Sequence, residues 1–250
     1  MPMRRVANAD AFDERIGRIA ALGEPIRRAL YRHVAAQPEP VSRDEAATAV
    51  GIARHVAKFH LDRLEADGLL ETSYSRPPGR GGPGAGRPAK RYRRSRGEVS
   101  VSLPSRSYDL AGRVMARAIV TASGADIAIE TATRQAARAE GRELGEQVAQ
   151  RLGPGASPTK REHAVRDVLA EHGYEPRTAE QVITLANCPF HGLAEDYRDL
   201  VCGMNLDLIR GLLDKCGPGG PRARLDPGPE RCCVTLDRQR TAGKQPRQAT

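Results

Sequence analysis

All five cysteines of the chain, Cys188, Cys202, Cys216, Cys232 and Cys233, lie in its last quarter, and the 187 residues before them contain none. Any chemistry that needs thiolates is therefore confined to a C-terminal region, and the rest must fold and act without it. A chain of 250 residues has room for one large or two small domains. The segregation favours two parts with separate tasks.

Charge is divided in the same way. Residues 1–97 carry 19 basic and 11 acidic side chains, and residues 98–250 carry 21 and 20. Nearly all of the net +9 therefore sits in the cysteine-free part, as expected where only that part meets a polyanion. Within it, Thr72–Gly97 holds eight basic residues and no acidic one. No run approaches the length of a membrane span, and the N-terminus lacks the apolar core of a signal peptide. A cytoplasmic protein is expected. In that compartment thiols stay reduced, and grouped cysteines point to metal or redox chemistry rather than structural disulfides.

Apolar spacing predicts a helix over Asp10–Ala21, with Phe12, Ile16, Ile19 and Ala20 on one side. Gly23 breaks it and Pro25 starts a second helix, which Pro38 and Pro40 end. Ser42-Arg-Asp-Glu45 is a capping-box pattern opening a short helix over Ser42–Val50. After the turn at Gly51, Ala53–Asp67 reads as a further helix with Val56, Leu61 and Leu64 inward, and Gly68 stops it. Leu69–Tyr74 and Arg91–Ser95 read as two strands. The Gly/Pro run Ser75–Lys90 between them cannot pack. This order is that of a winged helix-turn-helix.

The chain here resembles the ArsR-like bacterial regulators, through Ala21-Leu-Gly-Glu-Pro-Ile-Arg-Arg-Ala-Leu30 and Val56-Ala-Lys-Phe-His-Leu-Asp-Arg-Leu-Glu-Ala-Asp-Gly-Leu-Leu70, over roughly residues 10–95. The resemblance implies that the Ala53–Asp67 helix enters the major groove of double-stranded operator DNA. Arg54, His55 and Lys58 are then the candidates for base or nearby phosphate contacts, and Arg63, Arg76, Arg80, Arg87 and Lys90 for phosphates or the minor groove. The Gly-rich wing lacks a G-x-x-x-x-G-K-[ST] pattern and leads into no helix, so a nucleotide loop is not expected.

From Ser107 the pattern is helical again, with Leu110, Val114, Ala118 and Ile119 sharing a side. A second helix covers about Ala125–Leu152, with Ile127, Ile129, Ala132, Ala136, Leu144 and Val148. Helices beside a winged domain pair subunits in two-fold regulators, so a homodimer is expected. Beyond Gly153-Pro-Gly-Ala-Ser-Pro158 a compact α+β domain follows. It contains a helix over Lys160–Gly173, strands over Tyr174–Arg177 and Glu180–Ala186, a long helix over Asp196–Lys215, and a strand pair over Ala223–Leu225 and Cys232–Leu236. The fold class is mainly α with small β, in four regions. Residues 1–97 form the winged helix-turn-helix, 98–155 the central dimerisation helices, 156–237 the α+β cluster-binding domain, and 238–250 a disordered tail.

The cysteines are spaced C-x13-C-x13-C-x15-C-C. This is not a zinc ribbon, which closes tight loops with close pairs, nor a ferredoxin run. Cys202 and Cys216 on one helix would stand roughly 21 Å apart unless it kinks at Gly203 or Gly211, which leaves Cys216 outside any single site. On a strand, Cys232 and Cys233 point to opposite faces, and Cys232 shares the inward face with Val234 and Leu236. The preferred set is Cys188, Cys202 and Cys232, with Cys233 a substitute or supporting thiol. His191 of Asn187-Cys-Pro-Phe-His191 is either a fourth ligand or a supporting donor.

The C-terminal half resembles the SufR-type repressors, through Cys-Pro-Phe-His191, Leu200-Val-Cys-Gly-Met-Asn-Leu206 with Gly211-Leu-Leu213, and the terminal Cys-x-Val-x-Leu strand. The resemblance implies an iron–sulfur cluster, 4Fe–4S with 2Fe–2S as the alternative, held by Cys188, Cys202 and Cys232. Cys216 corresponds to a less certain family cysteine. It further implies a transcriptional repressor of cluster-assembly genes, binding its operator when loaded and releasing it when the cluster is lost. The rival readings are a zinc-responsive ArsR-like regulator and a thiol-redox sensor. An enzyme built on Cys188 and His191 is not expected, because no oxyanion donor or orienting carboxylate accompanies the pair.

Overall fold

The computed structural model describes residues 3–75 and 88–238, with residues 3–11 as backbone only. It is mainly helical with two small antiparallel sheets. The chain divides into two compact units between Val101 and Ser102.

The N-terminal unit runs α1 (Met3–Ala21), α2 (Pro25–Ala36), β1 (Val41–Ser42), α3 (Arg43–Val50), α4 (Arg54–Ala66), β2 (Leu70–Ser75) and β3 (Ala89–Arg94). Local chemistry sets most of these boundaries. Pro25 opens α2, and the Glu24 carboxylate accepts from the backbone N–H groups of Ile26 (3.1 Å) and Arg27 (2.7 Å). The Arg27 hydrogen bond is the main reason the Glu24 carboxyl lies below its ordinary pKa. Ser42 and Glu45 form the capping box reciprocally, Glu45 N to Ser42 Oγ at 3.2 Å and Ser42 N to Glu45 Oε2 at 2.7 Å. Gly51 closes α3 in the left-handed region (φ 71°), where a side chain is strained.

The core of this unit joins Leu30, Val34, Ala46, Leu61, Leu64, Leu70 and Tyr92. Ala57 is fully buried, while its neighbour Val56 is only half-buried. The sheet order is β1–β3–β2, so β3 is its centre. The two-residue β1 pairs Val41 with Tyr92 and Ser42 with Arg91. Nothing in the sequence pattern marks so short a strand, since β3 alone makes it one.

The C-terminal unit runs α5 (Tyr108–Ala125), α6 (Ile129–Arg151), α7 (Pro158–Glu171), β4 (Pro176–Thr178), β5 (Val182–Leu185), α8 (His191–Asp196), α9 (Arg198–Leu213), β6 (Arg222–Leu225) and β7 (Val234–Asp237). The region 98–155, expected as a helical linker and dimerisation region, has its helices in the second unit, Ser102–Thr250. Both α5 and α6 lie in the same compact unit as the cysteines, sharing a core of Leu110, Val114, Ala136, Phe190, Met204 and Leu208 with α9 and the loop before α8. Ile119 is 59% exposed. It follows Leu110 by about two and a half helical turns and so faces the opposite way. A second core packs α7 and α9 on the sheet through Val165, Leu169, Ile183, Ile209, Val234 and Leu236. The sheet order is β4–β5–β7–β6, all antiparallel.

Helices α6 and α9 approach backbone to backbone. A Cβ on Gly141 would stand 2.0 Å from the Leu208 carbonyl oxygen, and one on Gly211 would stand 2.2 Å from that of Arg138. Only glycine fits at either place. The expected helix over Asp196–Lys215 is α9, Arg198–Leu213, set off at Tyr197 from the short α8 that sequence reasoning did not name, and it passes through Gly203 and Gly211 without interruption. Of the expected tail, Arg238 is ordered and donates to Glu162 at 2.8 Å, and 239–250 lie outside the described residues.

Candidate functional site

Three segments of the C-terminal unit bring four of the five thiols together. Cys188 lies in the loop between β5 and α8, Cys202 early in α9, and Cys232 and Cys233 in the loop that enters β7. The Cys232 N–H donates to the Leu185 carbonyl (2.8 Å), which joins that loop to the end of β5. Because β7 begins only at Val234, strand alternation does not govern Cys232 and Cys233. All four border one cleft, where Cys232 interacts with both Cys188 and Cys233, and Cys233 also with Cys202.

The Cys188 loop is held from three directions. Arg106 donates to Asn187 Oδ1 at 2.6 Å, and the Asn187 amide donates to the carbonyls of Ser105 (2.9 Å) and Gly173 (2.5 Å). The Ser107 N–H donates to Pro189 O at 3.0 Å. Cys188 packs against both cores of the unit. On the other side, Tyr174 donates to Asn205 Oδ1 (2.5 Å), and the Asn205 amide donates to Cys232 Sγ (3.2 Å).

The thiols line a cleft of about 810 Å³, which His191, Glu195 and Arg198 also border. The His191 ring is mostly exposed, with Nε2 3.3 Å from Glu195. Cys216 lies elsewhere, buried past the end of α9, with its S–H directed at the Leu212 carbonyl.

The surroundings raise the pKa values of Cys188, Cys202 and Cys232. The bond to Cys232, then burial, pushes Cys188 well up. The Cys188 bond pulls Cys232 down, but the Cys233 bond and burial outweigh it and carry the thiol up to about 12. Burial raises Cys202, against the lowering effect of Cys233. Thiols held protonated this way become soft anionic ligands only as a cation takes the place of their protons. Among the described residues no three or more His, Cys, Asp or Glu side chains are placed to hold a metal ion. A polynuclear cluster makes a different demand from a single ion, since its cysteine ligands need not share one metal atom.

In the N-terminal unit, α4 follows α3 across the Gly51 turn and exposes Arg54, His55, Lys58, Phe59 and Arg63. Arg54 lies 2.5 Å from Asp44, and Arg63 lies 3.1 Å from Asp67. Lys58 is only loosely placed near Asp62, at 3.9 Å. Lys90 differs from the others, since its ammonium is bonded to Asp62 (2.9 Å) and to Glu65 while Asp62 accepts from Tyr92 (2.8 Å). It ties β3 to α4 and presents little free charge. Arg76, Arg80 and Arg87 fall outside the described residues.

Residues 22–73 match the family described as a helix-turn-helix domain. The match spans α2, α3, α4 and most of β2, so the exposed basic face of α4 belongs to the second helix of a helix-turn-helix. The chain is a DNA-binding transcriptional regulator. No curated protein and no solved structure matches it. No described helix of the regulator is long and apolar enough to cross a membrane.

Two features of the regulator escaped sequence reasoning. One is Phe59, 66% exposed on α4 beside the basic residues. An apolar side chain among charged ones on a recognition helix was a readable signal, because such residues contact thymine methyl groups. The other is Asn205, fully buried at an inward position of the apolar helix α9. A polar residue in an otherwise apolar stripe was its signal.

Proposed function

We propose that this regulator is an iron–sulfur cluster-sensing repressor of cluster-assembly genes. It would act as a homodimer on a palindromic operator, binding when loaded and releasing when the cluster is lost. The observation that carries the reading is the convergence of Cys188, Cys202, Cys232 and Cys233 from three segments, with Cys216 apart. Cys233 supplies the fourth thiol in preference to His191, whose ring faces Glu195. When bound, the cluster would supply a redox- and iron-dependent cross-link between the β5–α8 loop, α9 and the β7 entry. It can shift DNA affinity only by its differential affinity for two states of the protein.

The test is anaerobic purification followed by visible absorption, iron and acid-labile sulfide on one sample, then operator binding with and without the chromophore. Cys188→Ser, Cys202→Ser and Cys232→Ser are expected to remove the visible band, and Cys216→Ser to keep it. A colourless wild-type protein, unchanged after reconstitution with iron and sulfide, sinks the reading.

A second reading has its own support. The grouping of four thiols on one cleft suits a thiol-redox sensor. It predicts disulfides among the cleft cysteines in peptide maps after mild peroxide, with DNA affinity following the oxidation rather than iron content. A zinc-responsive regulator would need the thiols drawn round one ion, at about 2.3 Å each.

A further inference from the structure

Cys232 and Cys233 are adjacent and both reach the site, yet their surroundings differ. Cys233 is half-buried at the cleft. Cys232 is buried and receives a hydrogen bond from the Asn205 side-chain amide at 3.2 Å. Asn205 has no exposed surface, and its other end accepts from the Tyr174 hydroxyl at 2.5 Å. Tyr174 lies just before β4, Asn205 on α9 and Cys232 just before β7, so the chain of bonds crosses the interior of the unit.

An unmade hydrogen bond in such a place carries the full cost of desolvation, which is why buried polar groups are rare without a role or a partner. A hydroxyl can donate or accept, but a thiolate sulfur that ligates a cluster can only accept, so in the loaded protein the N–H end of Asn205 must face Cys232 and the tyrosine must donate to the oxygen end.

We propose that Asn205, oriented by Tyr174, is a positioning residue that selects Cys232 over Cys233 as the firmly held ligand and tunes the bound cluster through its N–H···S bond. The proposal rests on the iron–sulfur reading. An N–H donor to a ligand sulfur withdraws electron density and raises a cluster's reduction potential, and donors one step behind the ligands govern affinity by about 10–100-fold. Cys233, without such a donor, is then the ligand that leaves first.

The experiment has two arms, both on the full chain. In the metal-free protein, the 15N side-chain amide signal of Asn205, assigned by its disappearance in Asn205→Leu, should exchange slowly with water. It should shift on Cys232→Ser and stay in place on Cys233→Ser. In protein reconstituted with iron and sulfide, Asn205→Leu should make the reduction potential more negative and speed cluster loss to a chelator by roughly tenfold. Tyr174→Phe should move both in the same direction by less, with its fold verified by circular dichroism. The double variant Tyr174→Phe/Asn205→Leu leaves no orphaned partner and keeps the test open if the single variant unfolds.

Wild-type potential and loss rate in a folded Asn205→Leu or double variant would overturn the proposal. So would an amide that shifts with Cys233 instead of Cys232. A wild-type protein that takes up no cluster overturns the iron–sulfur reading and the tuning role together. The amide signals then still decide whether Asn205 holds Cys232, which separates the two failures.

Discussion

The two units solve different problems with different means. The N-terminal unit is assembled from local devices: a glutamate cap and Pro25 on α2, a capping box on α3, a left-handed glycine turn, and ion pairs along α4. The C-terminal unit is assembled from contacts between residues far apart in sequence. Gly141 meets Leu208, Asn187 reaches Ser105, and Tyr174 reaches Asn205 and through it Cys232. The first kind of unit suits a module that presents one helix face unchanged. The second suits a sensor, because a site built from three segments couples whatever it binds to the packing of them all.

The largest expected effect tests the close helix contact. Gly141→Val places side-chain atoms where the Leu208 carbonyl stands, and no rotamer relieves a clash with backbone. Overpacking of this kind costs about 1–3 kcal/mol and more where backbone must move. Calorimetry should show the transition of the C-terminal unit lost or strongly lowered, and that of the N-terminal unit kept. Wild-type melting would mean that α6 and α9 do not pack this tightly.

A second contrast concerns function. Lys58→Ala on the exposed face of α4 should weaken binding to all DNA sequences alike and lower the salt slope of binding by about one. Lys90→Ala should leave that slope unchanged and lower the stability of the N-terminal unit, because its ammonium is already bonded to Asp62 and Glu65. Salt titrations of DNA affinity decide between them, and an equal slope change in both variants would return Lys90 to the interface.

A smaller effect is expected from Ser42→Ala, which removes one half of the capping box and should cost about 1 kcal/mol, confined to the N-terminal transition. Denaturant midpoints measured with probes in each unit would show whether the loss stays there.

The same contrast explains what the sequence could disclose. Helix starts at Pro25 and after Ser42, and the turn at Gly51, are written within four or five residues, and the structure has them. The strand β1 is not so written, since its only reason is the central strand β3. In the C-terminal unit the longer elements were legible from periodicity, but not the short helix α8, too brief to show a period, or the glycine contact, which depends on a partner helix. Setting Cys216 apart needed only helix geometry. Placing Cys233 on the cleft with Cys202 needed the packed unit, since β7 starts at Val234, two residues later than periodicity suggests.

The smallest effect separates the units by acidity. His172 at the end of α7 is half-buried, and burial, only partly offset by Glu171, lowers its pKa below the ordinary value of 6.5. In the folded unit it stays neutral at pH values where the unfolded chain binds a proton. Protonation then favours the unfolded chain, so stability is intact above about pH 6.5 and falls as the pH drops through it, by at most about 1.4 kcal/mol per pH unit for one proton. The shifted carboxyls of the N-terminal unit behave otherwise. Glu24, Glu45 and Asp62 lie below their ordinary values of 4.5, 4.5 and 3.8, so their contribution is lost only as the pH falls through that lower range. Between pH 6.5 and 5 the C-terminal transition should therefore move down while the N-terminal one holds, and His172→Gln should flatten the dependence. Equal acid sensitivity of the two transitions, or a slope that survives His172→Gln, would show that the difference between the units does not extend to their titration.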